Sequence, residues 1–440
     1  MNPEIPETAV DFVALDSGDL VELVEHAENP ARTRLAVCHD GQVQFTEKLV
    51  HNGRVLVPIQ RAESMYKHIR LPRTAQPYGS VKTLREKVES LLTKCVRLKP
   101  GDAFLLSVFV LCTWLIDRLH IAPYIAVIGL PQSGKSTLLK TLSLVCRRSL
   151  LIADATPAAL CDVCTRHKPT LLIDEASCLE GNDQFRRFLR VGTTRDIVGL
   201  DKTQARNAYG AKVIAWLELP DDAALNSRCL LISMDETADG TLAKPTDAVI
   251  ESLATDLQDQ LLQFRFDKYR SVSTSAVAGS EKLRPRNRDL LISLAAPIAD
   301  DAHACSSLAS LFESYEKLMV EPLPAAYNAV LGAVFFLAHQ PIEDDLVIGQ
   351  VTRLTNLYFK KISEHSRLKP RKVGAILTAL GFTKRLRTAR GWMVILEHSD
   401  RVRAHQLVRA YGIDSYFDVA AAPGFNHNCE GCKDLMFSDS

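Results

Sequence analysis

The sequence predicts an α/β protein built on a parallel sheet with helices on both faces. Short apolar runs alternate with helical stretches from residue 123 to 240, the pattern of strands buried on both sides. One run, Tyr124 to Ile128, leads through a glycine-bounded loop into a helix. Another, Thr170 to Ile173, ends in the adjacent carboxylates Asp174 and Glu175. In sheets of this kind a ligand sits beyond the carboxyl ends of the strands, so loop and acids can meet. A small β-rich module at 1–80 precedes the sheet, and a winged-helix-like unit at 341–415 follows it.

The elements follow in chain order. Within 1–80, Arg34 to Cys38, Gln42 to Phe45 and Val55 to Pro58 read as short strands. His39-Asp40-Gly41 and His51-Asn52-Gly53 are turn signals between them. No chemistry stands out there; the module reads as a partner-docking unit or a lid. A helical lead-in at 81–122 holds two helices, Leu84 to Val96 and Asp102 to Leu119, split by Lys99-Pro100-Gly101. The second is apolar on nearly all sides and should be buried, with Trp114 in the core. In the core at 123–240, Leu150 to Ile152, Lys212 to Leu217 and Cys229 to Ser233 read as further strands. Thr156 caps a helix that opens with Pro157, and another helix runs from about Asp183 to Val191. Residues 241–340 read as a helical domain with a break at 271–280, and 416–440 as a loose tail.

The loop Gly129-Leu130-Pro131-Gln132-Ser133-Gly134-Lys135-Ser136-Thr137 matches the P-loop pattern, and it has the strand before and the helix after that the pattern requires. Backbone N–H groups of such a loop face one anionic pocket. Gly129, Pro131, Gln132, Ser133, Gly134, Lys135, Ser136 and Thr137 are therefore the expected nucleotide contacts. Lys135 is placed to reach the β- and γ-phosphates of ATP, and the Ser136 hydroxyl to sit on Mg²⁺, which keeps most of its waters. Asp174 suits the Mg²⁺ shell and Glu175 the polarising of an attacking water. The other reading of the acidic pair is a cap on the next element. Arg228, just before the last core strand, reads as an arginine finger for a neighbouring subunit or as a local ion-pair partner.

Basic residues outside the pocket carry a weaker signal. Residues 192–206 read as an extended hairpin with Lys202 and Arg206 near its tip, either a phosphate grip or solvated loop charge. After Pro370 comes a helix with Arg371 and Lys372; two strand-like pieces then carry Arg385 and Arg387 and join at Arg390-Gly391. Helix, helix and hairpin make the winged-helix pattern. Its cations suit nucleic acid, or form a solvated face. His427, Cys429 and Cys432 make part of a zinc-like set without an obvious fourth ligand.

These motifs together resemble a family of P-loop ATPases of bacteria, phages and plasmids, related to AAA+ proteins and superfamily III helicases and often associated with primases. The resemblance runs from about Leu84 to Ile413. It rests on Cys112-Thr113-Trp114, the P-loop, Thr170 to Ala176, Gln184 to Gly192, Ala211 to Met234, Arg286-Asn287-Arg288-Asp289 and Lys369 to Trp392. It implies ATP hydrolysis, a hexameric ring and work on DNA, with any priming partner a separate chain. It also makes Arg286 or Arg288 a candidate second sensor. Glu218 stands where the family's sensor strand ends in a plain Asn or Thr. The rival class is an ATP-gated scaffold or regulator that binds DNA or a protein without unwinding; the alternative of a small-molecule kinase leaves Pro220 to Arg228 without a use.

Composition sets the remaining bounds. A formal net charge of +1 over 440 residues excludes a global basic field, so nucleic-acid contact must come from local patches. Eleven cysteines, scattered through apolar runs such as Val110-Leu111-Cys112, suit buried thiols in a reducing cytoplasm. The opening Met1-Asn2-Pro3-Glu4 has no apolar core of a secretory leader, and Ala103 to Ile116 is too short to span a bilayer.

Overall fold

A computed structural model describes residues 6–61, 65–174, 183–201, 204–217, 219–220, 222–235, 241–275, 277–318, 325–339, 345–361, 367–389 and 391–411. The chain divides into two compact units, Met1–Tyr315 and Glu316–Ser440.

The first unit opens with β1 (Glu7–Val10), β2 (Phe12–Ala14), β3 (Leu20–Glu25), β4 (Thr33–His39), β5 (Gln42–Thr46), β6 (Leu49–His51) and β7 (Arg54–Pro58). β2 to β5 form an antiparallel meander in chain order; β1, β7 and β6 form a second sheet. The two predicted turns close hairpins β4–β5 and β6–β7. Both central residues of each are left-handed: Asp40 and Gly41 at φ 45° and 79°, Asn52 and Gly53 at φ 49° and 69°. That is the primed turn whose twist matches the strands, and Asp-Gly and Asn-Gly tolerate it best.

This module is tied into the body of the unit rather than laid over it. Strand β3 is buried along its length, and Glu22 within it is 2% exposed. The Glu22 carboxylate pairs with Arg147 at 2.7 Å, Arg148 at 2.7 Å and Arg265 at 2.9 Å. Arg265 in turn holds Asp117 at 2.7 Å, and Arg148 holds Asp11 at 2.9 Å. The reading of 1–80 as free of chemistry missed this cluster.

Next come α1 (Val81–Cys95) and α2 (Pro100–Trp114). Ser80 caps α1 by accepting from the Thr83 N–H at 3.1 Å. Helix α2 is buried all round, and Trp114 donates its indole N–H to the Val145 carbonyl at 2.9 Å. It stops at Trp114, and Ile116–Arg118 form a short 3-10 turn where the sequence predicts that the helix runs on to Leu119. Arg265 donates to Trp114 O, and the Tyr209 hydroxyl donates to Ile116 O at 3.0 Å and Leu119 O at 2.6 Å.

The core elements are β8 (Tyr124–Ile128), α3 (Lys135–Ser143), β9 (Leu150–Ile152), α4 (Pro157–His167), β10 (Leu171–Ile173), α5 (Asp183–Val191), β11 (Gly199–Asp201), β12 (Gln204–Arg206), β13 (Lys212–Trp216), α6 (Ala223–Asn226) and β14 (Cys229–Ser233). Five parallel strands run in the order β14-β8-β13-β10-β9. Thr156 caps α4 as expected, accepting from the Ala159 N–H at 3.3 Å, with Pro157 in the first turn. Helices α7 (Ala248–Lys268), α8 (Pro285–Ala295) and α9 (Ala302–Leu318) complete the core side.

The second unit contains α10 (Ala325–Ala338), β15 (Asp345–Val347), α11 (Ile348–Lys361), α12 (Pro370–Ala379), β16 (Arg385–Thr388), β17 (Gly391–Ile395) and α13 (His398–Tyr411). Its apolar core joins Val330, Leu331 and Val334 of α10 to Val351, Ile376, Leu377, Val394 and Val408. Helix α10, grouped with the preceding helices by the sequence, thus packs with α11, α12 and α13. Strands β15, β17 and β16 form an antiparallel sheet in that order; the sequence did not show β15. Among the described residues, no helix is long and apolar enough to cross a membrane.

Candidate active site

Strand β8 delivers the chain to Gly129 at the carboxyl edge of the sheet. A Cβ there would lie 2.5 Å from Met234 O and 2.6 Å from Ser133 Oγ, so only glycine fits the turn. Gln132 and Gly134 are left-handed, at φ 68° and 90°. Gly134 is the N-cap of α3, and Lys135 is its first residue. The unpaired N–H groups of the first turn therefore point out of the loop, where the helix dipole favours an anion.

Asp174 follows β10 directly and its N–H donates to Ile152 O at 2.8 Å, which fixes the backbone that carries the carboxylate. Strand β13 lies between β8 and β10. Loop strand and acidic strand are thus about 10 Å apart, two strand spacings. That gap leaves room for a phosphate group and a hydrated cation between them. Pro131, Gln132, Ser133, Gly134, Lys135, Ser136 and Thr137 line one cavity of about 510 Å³ together with Asp174, Ala215, Trp216 and Leu217. Trp216 and Leu217, at the end of β13, were not foreseen as lining residues; they supply the apolar part of the wall.

Lys135 Nζ folds over the loop and donates to Gly129 O at 2.5 Å and Leu130 O at 2.9 Å. Partial burial lowers its ammonium from the ordinary lysine range, and the nearby charge of Asp174 pulls it back up. Neutral carbonyls hold the ammonium only modestly, and a phosphate oxygen is the stronger acceptor. The donor set offered to a cation is a hydroxyl, Ser136, and a carboxylate, Asp174. These hard oxygens fit Mg²⁺ rather than a soft metal. Glu175 lies outside the described residues, as do Lys202, Glu218, Arg390, His427, Cys429 and Cys432.

Arg228 stands at the other end of the sheet. Cys229 pairs with Tyr124 at the start of β8, whereas Ser233 pairs with Ile128 beside the loop. The strand puts roughly 15 Å between Arg228 and the phosphate loop of its own chain. Its Nε donates to Arg190 O at 3.1 Å, and a second nitrogen donates to Ala224 O. Arg190 is itself anchored on the buried Asp222 at 2.5 Å, and Arg286 donates to the Ser227 hydroxyl. Burial lowers the Arg228 pKa, and the neighbouring cations Arg286 and Arg190 lower it further. Arg286 therefore joins Arg228 instead of reaching its own loop as a second sensor would. Asp222, Arg190 and Arg286 were not legible as a cluster, because only folding brings α5, α6 and α8 together.

One detail of the basic surfaces differs from the sequence reading. Strands β11 and β12 pair Gly199 with Arg206 and Asp201 with Gln204, so Arg206 sits at the base of the hairpin, not near the tip. Arg385 is exposed but donates to Gly374 O and Thr378 Oγ1, which straps the β16–β17 hairpin to α12. Arg371, Lys372 and Arg387 are exposed. Lys384 forms an ion pair with Glu397.

No protein-family model matches the chain, and no curated protein does. Among solved structures it is similar to SCCmec type IV Cch, described as an active helicase, at 11% identity, covering 92% of this chain and 80% of that one with a TM-score of 0.45. It is also similar to the NrS-1 C-terminal region in its apo A form, at 11% identity over 86% and 97% of the two chains, TM-score 0.39. A third similarity is to Cdc6p from Pyrobaculum aerophilum, at 13% identity over 73% and 98%, TM-score 0.24. All three TM-scores fall below 0.5, so the site is read from its own geometry.

Proposed function

We propose that this chain is a Mg²⁺-dependent ATPase of the additional-strand P-loop class, AAA+-like in fold, that moves along or opens DNA. The observation that carries the reading is one cavity lined by residues 131–137 of the loop, by Asp174 and by the end of the inserted strand β13. Backbone N–H groups of the loop and α3 bind and orient the triphosphate, and Lys135 leaves its loop carbonyls for the β- and γ-phosphates. Ser136 and Asp174 would hold Mg²⁺, which neutralises charge building on the phosphate oxygens. Glu175, the next residue after Asp174, orients the attacking water and accepts its proton.

Arg228 is too far from its own loop to serve it, which supports action on the nucleotide of a neighbouring copy. That contact is heterologous and builds a closed ring, read here as a hexamer. Residues 341–415 act as a winged helix that binds nucleic acid through Arg371, Lys372, Arg385 and Arg387, and Lys202 and Arg206 are weaker candidates for contacts within the ring. A primase, where one takes part, is a separate chain.

ATP turnover measured with and without single-stranded DNA tests this. DNA should stimulate turnover several-fold, and Lys135→Ala should remove it. Turnover that ignores DNA, with DNA affinity that changes on ATP binding, would favour the nucleotide-gated regulator instead. No binding of adenine nucleotide would end both readings.

A further inference from the structure

We propose that the β16–β17 wing carries a stacking site for unpaired bases, with Trp392 as its platform. The inference rests on the reading of residues 341–415 as a nucleic-acid-binding unit and names the form of nucleic acid that the wing takes.

The chain has three tryptophans. Trp114 and Trp216 are 1% and 3% exposed; Trp392 is 54% exposed. The register explains the difference. Strand β15 pairs with β17 only from Met393 to Ile395. Gly391 and Trp392 continue beyond it with β16 as their partner strand. The hairpin thus projects past the three-stranded part, and Trp392 sits on the projecting end.

The surroundings of the ring decide what it binds. Residues alternate between the two faces of a strand. Arg387 is directly opposite Trp392, and Arg385 is opposite Val394, so Arg385, Arg387 and Trp392 share one face. Leu386, 50% exposed, is opposite Met393 on the other face. The two exposed apolar side chains therefore do not merge into a patch of the size that marks a protein-docking surface. Directly across the strand pair from the indole stands a cation, Arg387, instead.

Arg385 fixes this face against α12 through Gly374 O and Thr378 Oγ1. Arg371, Gly374 and Thr378 lie three and four residues apart, on one stripe of that helix. Arg371, Arg385, Arg387 and Trp392 consequently form a track of three guanidiniums ending in an aromatic ring. Neither strand of the wing contains a carboxylate.

Cations along a backbone path with an aromatic face at its end are the components of single-strand binding. A duplex presents only base edges and phosphates to the indole, since its bases are already stacked. An unpaired base presents its flat face.

The test uses the full chain without nucleotide, so that Trp216 in the nucleotide cavity is undisturbed. Oligothymidine of about 16 nucleotides is titrated while tryptophan emission is followed. Because Trp392 is the exposed emitter, binding should quench the iodide-accessible part of the emission. Trp392→Ala should weaken single-strand affinity by about 5- to 150-fold, the range for one lost base stack. It should alter affinity for the matching duplex by less than about twofold. Trp392→Phe, which keeps a stacking face, should recover most of the affinity without the signal. Oligothymidine that binds without quenching, or binds Trp392→Ala as well as wild type, overturns the stacking site and leaves the nucleic-acid reading standing. A change in sedimentation of Trp392→Ala with single-strand affinity intact also overturns it and makes the wing a contact between proteins. Failure of the wild-type chain to bind any nucleic acid overturns both.

Discussion

Arg228→Ala should lower ATP turnover by about 10³- to 10⁵-fold, the contribution of an arginine finger supplied in trans, with ATP affinity nearly unchanged. The reason is geometric. Arg228 precedes the strand whose far end lies beside the loop 129–137, so it does not reach a nucleotide bound by that loop of its own chain. In the proposed role it would stabilise charge that develops in the transition state on another copy, and ground-state binding would not need it. Lys135→Ala removes the complementary half: the loop loses its cation, while Arg228 remains able to serve a neighbour. Each variant alone should be inactive. Mixed in equal amounts, they should recover about a quarter of wild-type turnover, the chance that a heterologous interface pairs an intact loop with an intact arginine. Steady-state phosphate release on the two variants and their mixture is the measurement. A mixture as inactive as its parts, under conditions where the chains exchange, would remove Arg228 from any neighbour's site. Arg228→Ala that loses ATP binding would return Arg228 to a structural role.

Local chemistry made much of this legible in advance. Apolar run, glycine loop and helix follow one another without interruption, so β8, the loop and α3 could be read directly. Thr156-Pro157, Asp40-Gly41 and Asn52-Gly53 act within a few residues of themselves, and each is found as read. What escaped depends on distant partners. Arg286 meets Ser227 across 59 positions. Strand β15 is three residues long and takes its identity from pairing with β17. Where α2 gives way to a 3-10 turn, the carbonyls of Trp114 and Ile116 are taken by Arg265 and Tyr209, neither adjacent in sequence. Arg206 moved from tip to base because register is a property of two strands, and composition reports on one at a time. Trp392 was legible as a strand residue, but its exposure depends on where β15 stops.

Glu22 is the extreme case of a residue whose meaning lies elsewhere: its partners Arg147 and Arg265 are 125 and 243 positions away. Burial alone would push its carboxyl up. The guanidiniums of Arg147, Arg148 and Arg265 overcome that and hold it below the ordinary glutamate range. Glu22→Ala would leave three buried guanidiniums with only Asp11 and Asp117 as carboxylate partners in the cluster. Breaking a buried network from one side costs about 3–5 kcal/mol, because the remaining charges stay desolvated. Glu47→Ala is the control: its pair with Arg32 at 3.0 Å is about half exposed on both sides, and such pairs contribute at most about 1 kcal/mol. Urea denaturation followed through the buried Trp114 and Trp216, both in this unit, should separate the two variants by a shift of midpoint. The pH dependence follows from the sign of the shift. A carboxylate whose folded pKa is depressed stabilises the fold above its unfolded pKa and loses that contribution as pH falls toward the folded value. Wild-type stability should therefore decline as pH drops below the ordinary glutamate range, and Glu22→Gln should be both less stable at neutral pH and less sensitive to acid. An acid response unchanged in Glu22→Gln would mean that the cluster does not tie the N-terminal strands to the parallel-sheet core, and those strands would then be expected to detach without loss of the core.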